Sequence, residues 1–136
     1  MKASAFLYTG VFIAFMNRRD QWHSRVLPLF EAPPPHWCTS LLVVSESYSW
    51  FLHRYGEETA RQFRLLLNRL SGLELLETSL AHHRATLSML DHFRGTQLTY
   101  VDASSLAFLK NNKIVEVWAT DQHLGLTGAR VLPARE

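Results

Sequence analysis

The sequence predicts an α/β fold, a parallel sheet covered by helices on both faces, and three observations carry that expectation. Strand-like and helix-like stretches alternate along all 136 residues, the order that a parallel sheet with crossover helices requires. The stretch "KIVEVWATD" (113–121) is β-branched and aromatic, as a strand buried on both faces should be. "EETARQFRLLLNRLSG" (57–72) places Ala60, Phe63, Leu66, Leu67 and Leu70 on one helical face, which gives a covering helix its buried stripe. With 47% apolar and 19% charged residues, the chain has enough apolar surface for one substantial core, and we expect residues 1–136 to form a single domain.

The elements follow in order. Ser4–Tyr8 reads as a short first strand; Thr9 is placed to cap the next helix, and Gly10 lets the backbone turn closely. Asp20 to Ala32 reads as a second helix with Trp22, Val26, Leu29 and Phe30 at helical spacing, bent or shortened by Pro28. Pro33-Pro34-Pro35 is a stiff connector to a strand at "HWCT" (36–39). "SLLVVSESYSWFLHRYG" (40–56) is a helix closed by Gly56, and residues 57–72 are one closed by Gly72. "LELLE" (73–77) is a strand, Leu80 to Phe93 a helix ended by Arg94-Gly95, and Asp102 to Lys110 a short helix opened by an acid. Residues 113–121 and "ARVLP" (129–133) are the last two strands.

Several function classes are disfavoured. Lys2 and the apolar run to Met16 resemble a signal peptide, but no A-x-A site follows, Arg18-Arg19-Asp20 closes the run, and it is shorter than the ~20 residues of a membrane span. We therefore expect no membrane association. Cys38 is the only cysteine, so no intrachain disulfide forms and a cytoplasmic setting is expected. The seven histidines are scattered, with His82 and His83 adjacent rather than a helical turn apart, which argues against a zinc site. No glycine-rich phosphate loop is present. The paired acids and late lysine of a phosphoacceptor domain are also missing.

Three acids stand in unusual company. Glu46 lies in an apolar helical stretch with Leu42, Val43 and Trp50; Asp102 stands between Tyr100-Val101 and a helix; Asp121 ends the most apolar strand. Asp102 and Asp121 fall at element ends on the side where open parallel sheets bind ligands. Singly, Asp102 reads equally as a helix cap, Asp121 as a turn residue and Glu46 as a surface residue. Together they read as converging carboxylates, which repel unless a hard cation such as Mg²⁺ or Mn²⁺ joins them.

At these residues the chain resembles PIN domains of the VapC-type toxin ribonucleases. "FLYTGVFIAF", "VVSESYSWFL", "LTYVDASSLAFLKNNKI" and "VWATDQHLGLTGARVLP" are similar, in order, to that family's four signature segments, and "RRDQWH" to the start of its second helix in one branch. The resemblance implies a three-layer α/β/α sandwich with a central parallel sheet of about four to five strands. It implies an endoribonuclease using Mg²⁺ or Mn²⁺, an antitoxin partner and a homodimer; the apolar faces of "FRLLLNRL" and "YSWFLHRY" fit a dimer seam and core packing equally. By position, Glu46 matches the family's second acid, Asp102 the third and Asp121 the fourth. Thr9 and Thr120 match supporting hydroxyls that position water or a ligand carboxylate.

The first acid is the departure, because the family's Asp-Thr-Gly pattern reads Tyr8-Thr9-Gly10 here. A neutral phenol, of pKa about 10, replaces one anion, so weak metal binding and impaired cleavage are expected, with a ring that crowds the cleft. Aspartate and tyrosine codons differ by one base, so a single change suffices to silence a toxic activity. The alternative is a non-catalytic PIN-like module that binds RNA or an antitoxin. Arg18, Arg19, Arg54 and Arg94 read as solvated charges or as backbone contacts for RNA; Tyr100 and Trp118 are candidate stacking rings, although Trp118, in a buried strand, reads as core. Ser104 and Ser105 read as ordinary first-turn residues.

Overall fold

The computed structural model describes residues 3–133. The described residues form the strands β1 (Ala5–Leu7), β2 (Trp37–Ser40), β3 (Leu73–Leu76), β4 (Glu116–Trp118) and β5 (Arg130–Leu132). Between them run the helices α1 (Thr9–Met16), α2 (His23–Glu31), α3 (Leu41–Tyr55), α4 (Glu57–Arg69), α5 (Leu80–His92) and α6 (Tyr100–Asn111). The strands make one all-parallel sheet in the order β3-β2-β1-β4-β5.

That order has a functional consequence. Crossovers β1→β2→β3 step one way across the sheet and β3→β4→β5 step back, so right-handed connections put α1–α4 on one face and α5–α6 on the other. The pleat agrees. Trp37 and Trp118 sit beside Ala5 and Leu7 in register and meet Phe30 of α2 edge-on at 6.1 and 5.4 Å. Phe12, Phe51 and Phe63 of α1, α3 and α4 continue that layer. Phe6, which points the opposite way, stacks on Phe108 of α6. The sheet therefore reverses winding between β1 and β4, and a crevice opens at their carboxyl ends.

Local chemistry explains most boundaries. Ser40 caps α3 by accepting the Val43 N–H at 3.1 Å, and Gly56 ends it with φ +97°, a conformation that suits a residue without Cβ. Some expectations are corrected. Helix α2 starts at His23, because Asp20 spends its carboxylate on the Trp22 N–H in the preceding turn, and it runs on through Pro28. The strand expected over 113–121 is only Glu116–Trp118. Its end stays tied to the sheet by Tyr8 N–H on Trp118 O and Ala119 N–H on Leu132 O, which leaves Thr120 and Asp121 free to turn into the crevice. Trp118 is buried core, as its place in an apolar strand predicts. Cys38 is buried with its thiol pushed up to about 12, by burial first and then by the Glu74 charge, so it is no nucleophile.

Candidate active site

Tyr8 is the first residue beyond β1 and adopts an extended backbone just before α1. Its ring is only 6% exposed, so the cleft holds it rather than being crowded by it. Its hydroxyl donates to Asp102 Oδ1. Burial, then this hydrogen bond, then the charges of Glu46 and Asp102 raise the phenol far above its ordinary value, so it keeps its proton.

Asp102 is buried and held from both sides. Thr99 and Asp102 form a capping box at the start of α6: the Asp102 N–H donates to Thr99 Oγ1 at 3.0 Å and the Thr99 N–H to Asp102 Oδ2 at 2.9 Å. The helix thus begins two residues before the expected Asp102, whose side chain does both jobs the sequence left open: it caps, and it faces the crevice.

Asp121 follows β4 and accepts the His123 N–H on Oδ1 at 2.8 Å, opening a short 3-10 turn, Gln122–Gly125. His123 Nδ1 lies 3.4 Å from the same oxygen. Asp102, Asp121 and His123 can each present a ligand atom within 4.8 Å of the others. Glu46 is not in that group. It stands half-buried on α3, where Thr9 donates its hydroxyl to Oε1, and reaches the corner through its charge on Tyr8. Thr9 is therefore no cap: it is the first residue of α1 and spends its side chain on Glu46. Thr120 packs against α1 so closely that a Cβ at Gly10 would lie 2.2 Å from its Oγ1.

Two carboxylates and an imidazole form an oxygen- and nitrogen-donor set that fits one divalent cation. The fit comes with a competitor, since Asp102 Oδ1 already accepts a hydrogen bond from the Tyr8 hydroxyl. His123 and Thr99 are not among the residues that the sequence motifs single out. The first stands two residues beyond an acid rather than at a spacing from another histidine, and the T-x-x-D capping pattern at 99–102 would have exposed the second. Ser104 and Ser105 are also corrected. Both are fully buried, Ser104 against His82 Nε2 at 2.8 Å and Ser105 donating to Val101 O.

A parallel five-stranded sheet with this order, and acids gathered where β1 and β4 end, defines a class of protein. The profile of the PIN domain family matches residues 5–128, and the chain belongs to that family. The fold is similar to VapC20 of Mycobacterium tuberculosis, described as a sarcin-ricin loop cleaving toxin, with TM-score 0.83 at 23% identity over 93% of this chain and 96% of that one. It is similar to a toxin-antitoxin complex from Klebsiella pneumoniae, with TM-score 0.70 at 20% identity over 98% and 99%. VapBC2 of Rickettsia felis, bound to a DNA fragment from its promoter, gives TM-score 0.61 at 12% identity over 93% and 96%. At these identities the likeness is one of fold. No curated protein sequence matches the chain significantly.

Proposed function

We propose that the chain is a ribonuclease of the VapC toxin kind, impaired because Tyr8 stands where the first metal-binding acid belongs. The observation that carries this reading is the Tyr8 hydroxyl on Asp102 Oδ1, at the crevice between β1 and β4. Asp102 and Asp121, with His123 alongside, would hold one divalent cation, Mg²⁺ or Mn²⁺. The imidazole favours Mn²⁺, since Mg²⁺ prefers an all-oxygen shell. Such an ion supplies activation of water and neutralisation of charge on a phosphodiester.

The chain's own residues set the rest. Thr99 fixes the Asp102 carboxylate toward the crevice, and Thr9 restrains Glu46 at its rim. Tyr8 satisfies Asp102 with a neutral donor and keeps a cation off that oxygen, while the site carries one negative charge fewer than a four-acid site would. We place the activity in the cytoplasm and assign an antitoxin protein as partner, in keeping with the complexes that share the fold. A homodimer is the assembly we propose. No described helix is long and apolar enough to cross a membrane.

The test is Tyr8→Asp. With Mn²⁺ or Mg²⁺ it should cleave RNA at least tenfold faster than the parent, and EDTA should abolish the gain. A variant as inert as the parent in both cations would contradict the reading. The ease with which the buried ring is accommodated favours a second reading, a non-catalytic module that binds RNA or an antitoxin. That reading expects binding to persist and cleavage to stay absent in Tyr8→Asp.

A further inference from the structure

Glu46 marks one end of a second feature. Residues 46, 49, 50, 53 and 54 recur at helical spacing along one side of α3. With Thr9, they line a groove of about 540 Å³ that opens beside the acidic corner. That volume lies within the ~300–1,000 Å³ typical of small-ligand sites.

We propose that this groove is a nucleotide subsite, taking one unit of single-stranded RNA next to the acids, with its base on Trp50 and its phosphate on Arg54 and His53. The proposal rests on the RNA reading above. The chemistry runs along the groove in order. Glu46 is at the acidic end, and about 12 Å further along the helix axis comes Arg54. Trp50 lies between them, half-buried and braced edge-on by Phe51 and Tyr55 at 5.3 and 5.7 Å. A ring fixed in this way loses little freedom when a base stacks on it, and stacking tolerates any base. Arg54 stands 5.9 Å over the same ring, is exposed, and has no carboxylate within ion-pair distance among the described residues. Its guanidinium is left for an anion. A ring flanked by a cation and hydroxyls suits a nucleotide better than an apolar peptide.

The experiment uses the parent chain in EDTA, so that neither metal nor cleavage enters, and a short fluorescein-labelled single-stranded RNA read by anisotropy. Arg54→Glu should weaken binding about tenfold and lower the slope of log affinity against log salt by about 0.7. Trp50→Ala should weaken it about tenfold with the slope unchanged, and Trp50→Phe should recover most of that loss. Ser49→Glu alters only an exposed position and should weaken binding severalfold without touching the core. Arg61→Glu on α4, outside the groove, should change little. Unchanged affinity in Arg54→Glu and Ser49→Glu would overturn the subsite and leave the groove to a protein partner; a parent that binds no RNA would overturn it too. Because cleavage by Tyr8→Asp is scored separately, a failed subsite and a failed ribonuclease reading give different results.

Discussion

Helix α6 carries two buried polar pairs only two residues apart, and they solve the same problem for different ends. Asp102 faces the crevice and accepts the Tyr8 hydroxyl. Ser104 faces α5 and meets His82 Nε2 at 2.8 Å, while the His82 ring stacks on Phe108 at 3.6 Å. Burial lowers the His82 pKa and raises that of Tyr8, so both groups are held neutral. The difference lies in the partner. Ser104 is neutral and enclosed, whereas Asp102 is a carboxylate at the mouth of the fold with Asp121 and His123 nearby. A buried neutral pair between helices is packing; a neutral donor placed on an acid at the sheet's switch point occupies an oxygen that, on the function proposed above, would face a cation.

That contrast can be broken by substitution. Tyr8→Ala removes a buried ring and leaves Asp102 without its donor, and should destabilise the fold by about 3–5 kcal/mol in urea denaturation; a loss under ~1 kcal/mol would mean the ring is not packed as described. Tyr8→Phe keeps the ring and removes a hydrogen bond to a charged acceptor, for a loss of about 1.5–3 kcal/mol. Ser104→Ala removes a neutral pair and should lose only about 0.5–1.5 kcal/mol by the same assay. Equal losses in these two variants would erase the distinction between the pairs.

His82 gives a finer test. Its pKa is lowered in the folded state, so below the unfolded value of about 6.5 the unfolded chain binds the extra proton first. Its contribution is therefore full above pH ~6.5 and is lost as pH falls toward the depressed folded value. Denaturation midpoints measured from pH 7 down to pH 5 should decline more steeply in the parent than in His82→Phe. Identical slopes would place the titration elsewhere. A loss like that of Ser104→Ala, about 0.5–1.5 kcal/mol in the same urea titration, is expected of Thr9→Val, because its bond to the half-buried Glu46 carboxylate is shared with water.

Much of this was legible in the residues. Alternating periodicities announced a parallel α/β fold because strands buried on both faces must read as apolar runs, as "AFL" of β1 does. Asp102 and Asp121 stand out in the sequence only together, as acids at element ends on one side of the sheet; singly each reads as the cap or turn residue that it also is. Other features depended on the third dimension. Trp118 reads as core from its strand, but that it meets Phe30 follows only from the register with Leu7. Trp50 gains meaning only from sharing a helix face with Glu46 and Arg54. His123 needed the turn after β4 to bring it to Asp121. The accommodation of Tyr8 depended on where its hydroxyl could reach, and the sequence does not carry the distance from residue 8 to residue 102.

The central claim is that the Tyr8 phenol sits in a cation's place on Asp102, and thermal unfolding of the parent and Tyr8→Asp, each with and without Mn²⁺, tests it most directly. Without the ion, Tyr8→Asp should melt below the parent, because a second carboxylate then faces Asp102. With Mn²⁺ it should rise by several degrees through preferential binding to the folded state, while the parent moves little. A Tyr8→Asp form indifferent to Mn²⁺, or a parent shifted just as far, would contradict the account.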